Sequence, residues 1–169
     1  SEHEVSIASA KNVLEHIDKN LFTVLEVYIT KDLTFQIDWV NYSEDGCMME
    51  LLRRGVEVVF PLLHGAYGED GVLQKKLEDR KIAFVGSSSR VSSVAINKKK
   101  TNEILEEEGF LIPKSYLVHK ERYSHECSYP IIVKPIDQGS SIGLFKFLCE
   151  EDYRQSLTAI FKDREHMLV

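Results

Sequence analysis

Lys134 stands on an apolar run and leads directly into Pro135-Ile136-Asp137-Gln138-Gly139-Ser140-Ser141-Ile142-Gly143. A lysine followed by a turn of small residues can neutralise a phosphate while backbone N–H groups and two hydroxyls fold over it as a nest. The same residues also suit an ordinary hairpin turn. Lys98, Lys99 and Lys100 open a charged segment, where the amino end of a helix disfavours positive charge. They form either a solvated face or an anion contact. His64 heads His64-Gly65-Ala66-Tyr67-Gly68-Glu69-Asp70-Gly71, a loop with three glycines. Its residue types allow metal ligation but lack ligand spacing, and Glu69 and Asp70 can equally cap the helix that follows. Glu2 and Glu4 stand just before the first predicted helix, where they can satisfy its N–H groups or reach a bound ammonium. Neither the P-loop nor the dinucleotide fingerprint is present, so any phosphate site is built differently.

These residues need elements to position them. Ile7, Ala10, Val13, Leu14 and Ile17 recur at helical spacing, which predicts a helix from Ser6, as its cap, to about Lys19, with an apolar face for a sheet. Leu21 to Ile29 and Leu33 to Trp39 read as strands joined at Thr30-Lys31-Asp32, with Trp39 as a packing residue. A short helix, Glu44 to Arg54, leads into Val56 to Leu63, an apolar run that suits a strand buried on both faces. The His64 loop follows at that strand's carboxyl end, where open α/β sheets bind ligands. Helix Val72 to Arg80 and strand Ile82 to Val85 come next. The second half changes character: a helix from Asn97 to Glu108 closed by Gly109, strands Ser115 to Val118, Ile131 to Pro135 and Leu144 to Leu148, a helix Glu151 to Phe161, and a strand at His166 to Val169. The fold class is thus α/β, an open, mostly parallel sheet with flanking helices over residues 1–86, followed over residues 87–169 by a small α+β lobe with an antiparallel sheet.

Composition narrows the function. The 169 residues carry 21 Lys+Arg against 27 Asp+Glu, a net charge of −6 that argues against a nucleic-acid partner. No apolar stretch approaches the ~20 residues that span a bilayer, so no membrane role is expected and a cytoplasmic protein is read. Three separated cysteines suggest reduced, partly buried thiols.

Together the segments Glu2-His3-Glu4-Val5-Ser6, Leu63-His64-Gly65-Ala66-Tyr67-Gly68-Glu69-Asp70-Gly71 with Gln74, Val85-Gly86-Ser87, Asn97-Lys98, and Val133-Lys134-Pro135 with Gly139-Ser140-Ser141-Ile142-Gly143 resemble the D-alanine–D-alanine ligase family of the ATP-grasp superfamily. The H-G-x-x-G-E-D-G-x-x-Q stretch is specific to it; the other segments count mainly by order and spacing. The resemblance implies transfer of the ATP γ-phosphate to one D-alanine carboxylate and attack on the acyl phosphate by a second D-alanine, in bacterial peptidoglycan precursor synthesis. It implies that Glu2 holds the first D-alanine's ammonium, that His64 lies near its carboxylate, and that Lys98 and Lys134 contact the ATP phosphates. Ser140 would bond the acidic residue and orient substrate, and Ser141, Ile142 and Gly143 would belong to a flap over the phosphates. ATP and Mg2+ are the implied cofactors, and a homodimer the implied assembly.

Three residues depart from the pattern. Ile96-Asn97-Lys98 stands where the family has M-D-K, and Lys75 where it has glycine. The family's initial strand and glycine-rich turn are absent here, as are its adenine-binding hinge, second ATP-grasp lobe, magnesium ligands and tyrosine-bearing loop. The resemblance therefore covers an N-terminal substrate domain and a central lobe, without an expectation of turnover by these residues alone. D-alanine–D-lactate or D-alanine–D-serine ligation, or a non-catalytic binding module, are the alternative functions.

Overall fold

A computed structural model describes residues 2–169. The chain forms two compact units, Ser1–Val91 and Ser92–Val169.

In the first unit, α1 (Glu2–His16) starts ahead of Ser6. Ser6 is therefore no cap; it is buried, and its hydroxyl donates to the Glu2 carbonyl at 3.1 Å. Glu2 and Glu4 lie inside the first turn, where their charge suits the helix dipole, rather than before it. The predicted apolar seam is only half-buried, and Ser6 is the buried residue among those described in this helix.

β1 (Tyr28–Ile29), β2 (Phe35–Ile37) and β3 (Val40–Tyr42) form an antiparallel meander, with Ile29 opposite Phe35 and Ile37 opposite Val40. The strand expected from Leu21 shrinks to two residues, because among the described residues no strand pairs with Leu21 to Val27. Asp38 (φ +50°) and Trp39 (φ +67°) make the two-residue turn between β2 and β3, the left-handed pair of a type I′ hairpin. That turn leaves Trp39 95% exposed, so it is not the packing residue expected.

α2 (Glu44–Arg53) is capped by Ser43, whose hydroxyl accepts from Gly46 N–H at 3.2 Å. β4 (Val58–Val59), α3 (Val72–Asp79) and β5 (Ala83–Phe84) make a parallel crossover, Val58 pairing with Ala83 and Val59 with Phe84. The run Val56 to Leu63 is not a strand buried on both faces: two residues pair, and Val58 and Phe60 are exposed. An apolar run permits double burial, but covering layers on both sides create it. Phe35, Ile37, Cys47, Met48, Leu51, Leu73, Leu77 and Ile82 form the core between the meander, α2 and α3. α4 (Ser89–Ala95), not anticipated, continues along the chain.

In the second unit, Asn97 caps α5 (Lys98–Glu107), its Oδ1 accepting from Lys100 N–H at 3.1 Å. Gly109, at φ +82°, closes the helix: Gly109 N–H bonds Glu106 O and Phe110 N–H bonds Leu105 O, a Schellman motif. β7 (Ile131–Val133) and β8 (Phe145–Phe147) are the expected hairpin, and β6 (Leu117–His119) pairs antiparallel with β9 (His166–Leu168). Lys134 and Leu168 exchange both backbone hydrogen bonds (2.9 and 2.8 Å), which joins the pairs in the order β8, β7, β9, β6. The expected single helix is two, α6 (Glu150–Gln155) and α7 (Leu157–Ile160), broken where Ser156 N–H is shared between Asp152 O and Tyr153 O. Val118, Ile131, Val133, Phe147, Tyr153, Ile160 and Met167 fill this core.

The architecture is α/β followed by α+β; its parallel pairing is β4 with β5, beside the antiparallel meander. The thiols are free, with Cys47 buried, Cys127 half-buried and Cys149 exposed. No described helix is long and apolar enough to cross a membrane.

Candidate functional site

The first unit gathers Glu2 and His64 on one face of α1. Residues 2, 6 and 9 share that face, at helical intervals of four and three. The Ser6 hydroxyl accepts from His64 backbone N–H at 2.9 Å, and Ser9 Oγ lies 3.0 Å from His64 Nε2. Glu2 packs over Gly65: a Cβ there would fall on Glu2 Oε2 and stand 3.0 Å from its Cδ. Gly65 also has φ +77°, a backbone conformation that favours glycine.

The acids of the loop hold its backbone. Glu69 Oε2 accepts from Gly65 N–H at 2.8 Å, while Asp70 accepts from Tyr67 N–H (2.8 Å) and Val72 N–H (3.0 Å). Among the described residues no group of three His, Cys, Asp or Glu could hold a metal ion, so these acids secure the turn into α3. His64 Nδ1 is 3.8 Å from Glu69 Oε1. Below the loop, buried Gln74 donates to Gly68 O at 2.6 Å, and Gly68 itself touches Leu63 too closely for any side chain.

A second set of contacts ties the loop to α2. The Tyr67 hydroxyl donates to Glu44 Oε1 at 2.5 Å, and Lys76 pairs with Glu44 Oε2. Burial, then the bond to Glu44, pushes the Tyr67 hydroxyl well above the usual phenol range. Burial acts to raise the Glu44 carboxyl, but Lys76 and Tyr67 together outweigh it and hold that group below its ordinary value.

The second unit brings Lys98 and Lys134 together. Lys98 N–H, at the start of α5, donates to Ile136 O at 2.8 Å, so the helix begins against the chain that leaves β7. Its ammonium donates to Gln138 O at 2.5 Å. Partial burial first, and the charge of Lys134 second, lower the Lys98 ammonium below the ordinary lysine range, with Asp137 opposing. Two like charges thus converge where the loop begins. Lys99 instead pairs with Glu103 along the helix, which resolves the lysine run into one inward contact and a solvated face. Asn97 takes the capping role that an aspartate would fill equally well.

Gly139 to Leu144 form an exposed turn. Ser140 (φ +50°) and Ser141 (φ +57°) are consecutive non-glycine residues in the left-handed region, and Gly143 follows at φ +69°. Ile142 N–H bonds Gly139 O (3.0 Å) and Leu144 N–H bonds Ser141 O (3.2 Å). Left-handed backbone costs an L-residue about 1–2 kcal/mol, a cost that the type I′ turn at Asp38 and Trp39 also carries. Ser140 and Ser141 are both exposed at the tip.

An α/β domain whose loop carries His64, followed in sequence by an α+β lobe that holds Lys98 and Lys134, is an ATP-grasp type of fold. The solved structure of the VanG D-Ala:D-Ser ligase from Enterococcus faecalis has this fold, with a TM-score of 0.79 at 24% identity over 99% of this chain and 58% of that one. Residues 40–87 match the family described as D-ala D-ala ligase N-terminus, and residues 91–169 match D-ala D-ala ligase C-terminus. The chain belongs to the D-alanine–D-alanine ligase family. It is 34% identical to the D-alanine–D-alanine ligase of Streptococcus gordonii over all of this chain and 56% of that protein, and 31% identical to ligase A of Escherichia coli K12, over 57% of it. The chain therefore spans a little over half the length of the curated relatives it matches.

Ser9, Glu44 and Lys76 support these contacts without being singled out by the sequence, which marks Ser6 only as a helix cap and Tyr67 only as part of the loop motif. Helical spacing from Glu2 would have found the serines, had the helix been started there. Nothing local signals the Glu44 contacts, which span 23 and 32 positions.

Proposed function

We propose that this chain supplies the amino-acid-binding unit and first nucleotide-binding lobe of an ATP-dependent D-alanine–D-alanine ligase, a cytoplasmic homodimer serving peptidoglycan precursor synthesis. The observation that carries the reading is the start of α5 against the chain that leaves β7 just after Lys134: Lys98 N–H bonds Ile136 O and its ammonium bonds Gln138 O, which sets two lysine charges where a polyphosphate would neutralise them.

In this reading a D-alanine carboxylate attacks the γ-phosphorus of ATP and ADP leaves. The amine of a second D-alanine then attacks the acyl phosphate, and inorganic phosphate departs as the peptide bond forms. Glu2 holds the first ammonium, and His64 faces the neighbouring carboxylate. Lys98 and Lys134 offset phosphate charge, while Ser140, Ser141, Ile142 and Gly143 close over it. The contribution is positioning and charge compensation rather than a protein nucleophile. The residues here do not fit a magnesium site, since no three His, Cys, Asp or Glu cluster among the described residues and Glu69 and Asp70 are committed to the loop backbone; no step is routed through the metal.

The test uses the full-length protein with ATP and D-alanine, following dipeptide by mass spectrometry and phosphate release together. Equal yields of D-alanyl-D-alanine and phosphate are expected. Product only with D-lactate or D-serine as second substrate would move the assignment to a depsipeptide or D-serine ligase. ATP binding without product from any of these pairs would identify a binding module.

A further inference from the structure

Ser9 makes a contact with His64 that the proposed function does not use. The His64 ring has two different neighbours: Ser9 Oγ at 3.0 Å from Nε2, and Glu69 Oε1 at 3.8 Å from Nδ1. The backbone of the same residue is pinned by Ser6, so the ring pivots from a fixed point. The proton position on an imidazole is set by the hydrogen bond that its other nitrogen makes. A carboxylate beside Nδ1 attracts an N–H there, which leaves the Nε2 lone pair to accept from the serine hydroxyl.

We propose that Ser9 is a positioning residue: its hydroxyl donates to Nε2, confines the ring proton of neutral His64 to Nδ1, and holds that N–H on the Glu69 side of the loop. Glu69 is itself fixed by Gly65 N–H, so the acid that biases the tautomer belongs to the same loop as the histidine. At 3.8 Å the Nδ1 group is beyond a hydrogen bond to Glu69 and stays available as a donor. This deepens the reading of His64 as a carboxylate contact, because a neutral imidazole serves an anionic substrate group only through its N–H.

The experiment combines a spectroscopic and a kinetic readout on the full-length protein. Long-range 1H–15N spectra of wild type are expected to show an Nδ1-protonated His64. Ser9→Ala, a substitution that favours the helix, is expected to shift the ring toward the Nε2-protonated form, and Ser9→Thr to restore it. KM for the first D-alanine should rise about fivefold in Ser9→Ala, the worth of one hydrogen bond, with KM for ATP unmoved. An Nε2-protonated wild type, or a tautomer indifferent to Ser9→Ala, overturns the proposal. A tautomer that shifts while the D-alanine KM does not supports Ser9 as the positioning group and overturns the substrate role given to His64.

Discussion

The carboxylate of Glu2 occupies the space that a side chain on Gly65 would fill. An acid near the start of the first helix and a glycine in a distant loop are thus fitted to each other, and the glycine sits beside His64.

Gly65→Ala should separate folding from binding. The methyl group would displace the flexible end of Glu2 rather than backbone, and the positive φ adds about 1 kcal/mol of strain. Chemical denaturation should show that modest loss, while KM for the first D-alanine rises more than tenfold and KM for ATP stays within twofold. If KM for D-alanine is unchanged, the placement of Glu2 over Gly65 has no bearing on substrate.

Lys134→Ala should uncouple nucleotide binding from proton uptake. Lys98 is depressed in the free protein by burial and by Lys134, so just below the ordinary lysine value of 10.5 the folded chain binds fewer protons than the unfolded one. Stability in that window therefore rises with pH. A phosphate set between the lysines restores the charged form, and binding takes up protons at alkaline pH. Calorimetry with a non-hydrolysable ATP analogue in two buffers of different ionisation enthalpy should show the uptake in wild type. In Lys134→Ala it should shrink, with affinity lowered about tenfold or more. Uptake of equal size in the variant would break the proposed coupling.

Gln74→Glu should make the His64 loop pH-sensitive. The buried carboxamide donates to Gly68 O, and an ionised carboxylate there would face a carbonyl with no proton to give. The cost is about 1–3 kcal/mol. Because the folded protein would favour the protonated acid, the deficit against wild type should appear as pH rises past the ordinary carboxylate range near 4.3 and vanish below it. Parallel urea titrations across that range test this; a deficit independent of pH would mean that the glutamate finds another partner.

Features written in neighbouring residues were legible. The Gly109 closure of α5, the β7–β8 hairpin and the loop from His64 to Gly71 all follow from local turn and capping chemistry. Residue type and motif order single out Lys98 and Lys134, but that Lys98 N–H meets Ile136 O, two residues beyond Lys134, is written in neither segment alone. What escaped depends on distant partners. Leu21 to Val27 has strand composition but no strand beside it among the described residues, and Trp39 is turned outward by a two-residue turn that hydrophobicity cannot encode. The serines that secure His64 are 58 and 55 positions away from it, where periodicity within either segment is silent about the other.

The paired backbone bonds between Lys134 and Leu168 guard against mis-threading of the sheet. Val133 is fully buried, and side chains alternate along the strand. A one-residue slip would therefore drive an ammonium into the hydrocarbon core and turn a valine toward the lysine partner Lys98. Since that error is penalised at both residues at once, β9 acts as a ruler: its pairing with Lys134 decides which side chain of the strand is presented beside Lys98.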